Sequence, residues 1–115
     1  MKKLIDDLSE FYAENVRLVK DLMKRESPKE FPELMKWSLQ MLYFFGNEWV
    51  SICRIDNHLH QGKSGSHIHA YKRKKIERVD LSFQEAEKVI KKISKRILKV
   101  QFKENIAFGD DEHEL

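Results

Sequence analysis

A chain of 115 residues, 41% apolar and 36% charged with only four Gly and two Pro, has room for one folded domain with a modest core; that excludes two catalytic domains and a disordered polymer. A lone cysteine, Cys53, excludes an internal disulfide and points to a reducing cytoplasm, and no apolar run approaches the roughly 18 residues of a membrane span. The net charge of +3 hides an asymmetry: residues 61–103 carry thirteen Lys and Arg against four Asp and Glu, residues 1–60 carry nine against ten, and residues 104–115 carry none against five.

In chain order, MKKLIDDLSEF turns acidic where a secretion signal needs an apolar core. Leu4, Ile5, Leu8, Phe11, Tyr12, Val16, Val19, Leu22 and Met23 recur at helical spacing, which predicts a long amphipathic helix over 3–25, ended by Ser27-Pro28. From Trp37 the period changes to two, through Leu39, Met41 and Tyr43, and Phe45-Gly46-Asn47-Glu48 supplies a tight turn into a returning strand, WVSICRID. After a His/Gly-rich hinge, HIHAYK reads as a third strand, KRKK as a charged hairpin tip and IERVDL as a fourth strand. Ser82-Phe83-Gln84-Glu85 then fits a capping box opening a second amphipathic helix through Phe83, Ala86, Val89, Ile90, Ile93, Ile97 and Val100. The expected fold is α+β: a four-stranded antiparallel meander sheet flanked by an N-terminal and a C-terminal helix, one domain over 1–103, with a disordered acidic tail over 104–115.

The hinge holds most of the chemistry. DNHLHQGKSGSHIHAY, residues 56–71, contains four of the five histidines as two His-x-His pairs. Alternation along the strands sends Trp49, Cys53, Ile55, Ile68 and Ala70 inward, so Arg54, Asp56, His67, His69 and Tyr71 gather on the outer face, with His58, His60 and Lys63 on the loop above. Gly62-Lys63-Ser64 ends like a phosphate-binding loop, but Asn57 stands where that motif needs Gly and the strand-to-helix context is missing. His58, His60, His67 and His69 have the spacing of a tetrahedral metal site, which is one reading of the cluster. Metal-free RNA cleavage is another. It needs a base for the 2′-hydroxyl proton, an acid for the leaving 5′-oxygen and a cation on the phosphoryl oxygens. His67 and His69 are the acid and base candidates, Asp56 the group that orients a His, and Tyr71 a stacking or proton-donating residue. Arg54, Lys63, Lys72, Arg73, Lys74 and Lys75 are the nucleic-acid contacts. A solvated, lysine-rich surface is the plainer account of the basic third of the chain.

Arg54, Asp56 and Asn57 before the hinge, His67, His69 and Tyr71 after it, and Ser82 to Ala86 opening the last helix together resemble small prokaryotic proteins of the TumE type over residues 48–98. The resemblance implies an RNA-directed toxin of a toxin-antitoxin pair whose partner is a helix-turn-helix antitoxin. The expectation from the sequence is therefore a cytoplasmic, metal-independent endoribonuclease with RNA and an antitoxin as partners, no cofactor, no membrane association, and room for a homodimer. The competing expectation is a noncatalytic nucleic-acid-binding or His-based metal-binding module.

Overall fold

The computed structural model describes residues 1–59, 62 and 64–109. Six strands, β1 (Lys2–Ala13), β2 (Val16–Lys24), β3 (Met35–Phe45), β4 (Glu48–Asp56), β5 (Ser66–Ala70) and β6 (Glu77–Val79), precede one helix, α1 (Phe83–Phe102). They form one antiparallel sheet in chain order, a meander with α1 packed mainly on β3 and β4. The α+β class, the meander and the C-terminal helix agree with the sequence.

The expected helix over 3–25 is instead the hairpin β1–β2, so the sheet has six strands rather than four. The helical stripe arises from reading across the Glu14-Asn15 turn and across a bulge where Asp6 and Asp7 together oppose Asp21. Each interruption shifts the phase of a period-two pattern until it mimics period 3.6. Within β2 the alternation is plain: Val16, Leu18 and Lys20 are buried, while Arg17, Val19 and Asp21 between them are only partly covered. Leu18, which falls off the helical stripe, is 0% exposed.

The β3–β4 turn forms where the sequence predicts it. Gly46 and Asn47 take successive left-handed φ values of 62° and 66°, a tight hairpin turn that glycine and asparagine tolerate best. The capping box is also present: Ser82 Oγ accepts from Glu85 N at 3.1 Å, and Glu85 Oε1 accepts from Ser82 N at 2.9 Å. Hydrogen bonding to the carboxyl from the Ser82 backbone N–H, and then from the Ser82 side chain, holds Glu85 below its ordinary range.

The core lies between one face of the sheet and α1. Val16, Leu18, Trp37, Leu39, Met41, Tyr43, Cys53, Ile55 and Ile68 meet Phe83, Ala86, Ile90 and Leu98, with the Trp37 and Phe83 rings edge to face at 5.9 Å. Lys20, on this same face, ties sheet to helix through Glu10 at 2.8 Å and Glu87 at 2.7 Å. Burial alone would lower its pKa, but the two carboxylates outweigh that and raise it. Beyond α1 the chain continues to pack: Ile106 and Phe108 are buried, and the Phe108 ring sits 4.9 Å from that of Tyr12, within a segment expected to belong to the acidic tail. Asp110 to Leu115, the rest of that tail, lie outside the described residues.

One irregularity reorganises β4. Met41 pairs with Cys53 but Leu42 with Ser51, so Ile52 is an extra residue and both Ile52 and Cys53 are buried. The bulge resets the alternation. Trp49, expected in the core, therefore joins the opposite face, where its ring lies 5.3 Å from Phe44 and 6.3 Å from Phe11 and carries the Arg17 guanidinium 4.4 Å above its centre.

Candidate functional site

Among the described residues no helix covers the second face of the sheet, and its side chains line up in cross-strand rows. Asp21, Ser38, Asp56, His67 and Arg78 are successive register partners from β2 to β6; Val19, Gln40, Arg54 and His69 form the next row. The strand pairing thus brings Arg54, Asp56, His67 and His69 together, as alternation predicts.

Asp56 is the centre. Its carboxylate accepts from Arg54 Nε at 2.9 Å and from the His58 backbone N–H at 3.0 Å, and its Oδ2 lies 3.8 Å from His69 Nε2. It is 6% exposed and His67 4%, whereas the His69 side chain is 36% exposed and reaches solvent. The His58 backbone contact begins the turn away from β4 and leaves its imidazole half-buried. Burial lowers the His58 pKa, Asp56 pulls it back up, and Lys36 and Arg54 push it further down. A neutral His58 near neutral pH follows from that balance. At the row's end Gly65, at φ +99°, lets the Arg78 guanidinium pack close: a Cβ there would meet Arg78 Nε at 3.1 Å.

Two polar residues of the segment have structural work instead. Asn57 Oδ1 accepts from Trp37 N and its Nδ2 donates to Met35 O, both at 2.7 Å, so its side chain extends the β3–β4 pairing past the end of the strand. Ser66 Oγ donates to Val79 O at 2.7 Å and accepts from Leu81 N at 2.9 Å, fastening β5 to the approach to α1. Cys53 is no nucleophile, because burial pushes its thiol up to about 12.

Tyr71 is not part of this face. The chain turns after Ala70, with Arg73 N bonded to Ala70 O at 3.0 Å, and Tyr71 packs on the helix side with its ring 5.1 Å from Phe102. The hairpin tip Lys72, Arg73, Lys74 and Lys75 is exposed beside it, Arg73 lying 3.6 Å from Glu77. Lys88, Lys91, Lys92, Lys95, Arg96 and Lys99 belong to α1 and hence to the layer behind the sheet. His60 and Lys63 lie outside the described residues. Among the described residues, His58, His67 and His69 do not form a group with ligand atoms within 4.8 Å of one another; Asp6, Asp7 and Asp21 do, at the β1 bulge.

Sequence reasoning missed Arg17, Asp21, Ser38 and Gln40 on this face, and Arg78 at its edge. The first two were assigned to a helix; the alternation of VRLVKDL in β2 was the signal that could have found them. Comparison of the chain with known protein families, with curated proteins and with solved structures returns no match.

Proposed function

We propose that the protein binds RNA and cleaves it without a metal ion, on the uncovered face of the sheet. The observation that carries this reading is the convergence of the Arg54 guanidinium, the His58 backbone N–H and the His69 imidazole on one buried carboxylate, Asp56. His58, held toward its neutral form and with its Nε2 shut off from solvent, takes the 2′-hydroxyl proton at Nδ1; the 2′-oxygen attacks phosphorus; the bond from phosphorus to the 5′-oxygen breaks; and His69 donates the proton that this oxygen gains. The products are a 2′,3′-cyclic phosphate and a 5′-hydroxyl, with Arg54 neutralising charge on the phosphoryl oxygens. Asp56 orients both Arg54 and His69. His67, nearly shut off from solvent, is a positioning residue between Asp56 and Arg78. The resemblance to TumE-type proteins adds the expectation of a toxin held in check by a helix-turn-helix antitoxin.

Single-turnover cleavage of a mixed-sequence RNA in excess chelator tests the reading. Replacing His69 by Ala should slow cleavage by about 10²- to 10⁴-fold, the usual range for a lost acid or base, and relieve growth inhibition on expression. Cleavage that vanishes with chelator and returns with added zinc would overturn the metal-free route. The burial of His67 favours one alternative, a noncatalytic nucleic-acid-binding module, and intact RNA bound by the unmodified protein would decide for it.

A further inference from the structure

Behind the sheet, the turn after β5 and one side of α1 enclose a pocket of about 530 Å³ lined by Ala70, Tyr71, Arg73, Lys92, Ile93, Arg96, Ile97, Val100 and Gln101. Three of these residues are cationic and none is acidic. The helix beside it is strongly basic: from Lys88 to Phe102 there is no Asp or Glu, and Lys88, Lys92 and Arg96 recur at i,i+4. The helix dipole favours cations only in its last turn, so it accounts for Lys99 but not for Lys88 to Arg96. The forked guanidinium groups of Arg73 and Arg96 match phosphate geometry. The rest of the lining is apolar: the Tyr71 ring, the half-buried Ile93 and Ile97, and Val100, which is 59% exposed for want of any covering group among the described residues.

We propose that this pocket binds a nucleoside phosphate, free or as one unit of an RNA strand, with the phosphate on Arg73, Lys92 and Arg96 and the base against Tyr71 and Val100. Stacking on an aromatic ring beside cations is how unpaired bases are held without sequence readout. The strand form rests on the RNA reading above; the phosphate-and-base chemistry does not. The pocket and the Asp56 face lie on opposite sides of the sheet, and the short edge strand β6 is the route round which one strand would reach both.

The test is a fluorescence-anisotropy titration of the full chain with a labelled ten-nucleotide single-stranded RNA carrying 2′-O-methyl sugars, which cannot be cleaved. The double variant R73Q/R96Q should bind at least tenfold more weakly at moderate salt, and the slope of log affinity against log salt should fall by about 1.4, two contacts' worth for a single strand. Tyr71→Leu, which keeps an apolar group against Phe102, should lose about tenfold, and Tyr71→Phe should stay within twofold. The control K2Q/K24Q removes the same charge from the far edge of the sheet and should change affinity less than twofold. AMP should displace the RNA at lower concentration than inorganic phosphate; complete displacement assigns the site to free nucleotides and partial displacement to a strand. Equal losses in R73Q/R96Q and the control, wild-type affinity in Tyr71→Leu, or equal potency of AMP and phosphate would each overturn the proposal, with melting curves checking that every variant folds. A protein that binds this RNA but leaves unmodified RNA intact sinks the nuclease reading and keeps the pocket. Cleavage with no effect of the pocket variants does the reverse.

Discussion

The two faces of the sheet are built by the same strands, one residue apart, and they obey different rules. On the helix side Val16, Leu18, Leu39, Met41 and Ile55 are fully buried, and position is set by volume and apolar area. On the open side no layer among the described residues covers the strands, and side chains pair along and across them: Asp56 with Arg54 and the His58 amide at one end, Arg17 over Trp49 with Phe11 and Phe44 at the other. Even so, Asp56 and His67 on this face are nearly shut off from solvent. A single sheet thus separates stability, carried by one face, from a chemically varied surface on the other.

The sharpest way to break this comparison uses neighbours in β2. Leu18→Ala should cost about 2 to 5 kcal/mol in urea unfolding, as a fully buried leucine does, while Val19→Ala on the open face should cost less than about 1 kcal/mol. Equal losses would mean that β2 does not alternate between two environments. The next effect concerns Asn57, which ends the polar segment but serves the core side. Asn57→Ala leaves Trp37 N and Met35 O without their partners and should cost about 1 to 3 kcal/mol, whereas His69→Ala should stay within about 1 kcal/mol. Thermal melts of the two variants side by side would separate the structural residue of the motif from the one proposed as the acid.

The smallest effect is a pH dependence. Burial holds the His58 pKa below its ordinary 6.5, so between that value and the lower folded one the unfolded chain binds more protons. Stability then falls as pH drops through this window and is fully regained above it. Denaturant midpoints measured from pH 7.5 to 5 should decline, and His58→Gln should flatten part of the decline. A profile identical in the two proteins would mean that the imidazole is solvated and lacks the neutral bias that a base requires.

Where the sequence pattern is local, it is legible. The Gly46-Asn47 turn, the alternation through Trp37, Leu39, Met41 and Tyr43, and the Ser82/Glu85 capping box depend on residues within a few positions of each other, and each appears in the structure as expected. The neighbourhood of Arg54, Asp56, His67 and His69 was legible for the same reason, since alternation on two strands joined by a hinge needs no further partner. The N-terminal hairpin was not legible, because the β1 bulge at Asp6-Asp7 and the turn at Glu14-Asn15 shift the phase in a way that only pairing with β3 makes sense of. Trp49 and Tyr71 were misplaced by one residue each: the Ile52 bulge moved the first out of the core, and the turn after Ala70 moved the second onto the helix side.

By itself, then, the sequence determined a small α+β domain with a capped, strongly basic helix and a His/Asp/Arg group on one side of a meander, because period, capping and charge are properties of short stretches. Only the tertiary structure decided that β2 and β6 extend that face with Asp21 and Arg78, that Asp56 gathers Arg54, His58 and His69 while His67 is shut in, and that Tyr71 faces the cations of α1. Bulges and strand order bring together residues distant in the chain, and one added residue in a strand reverses the direction of every side chain beyond it.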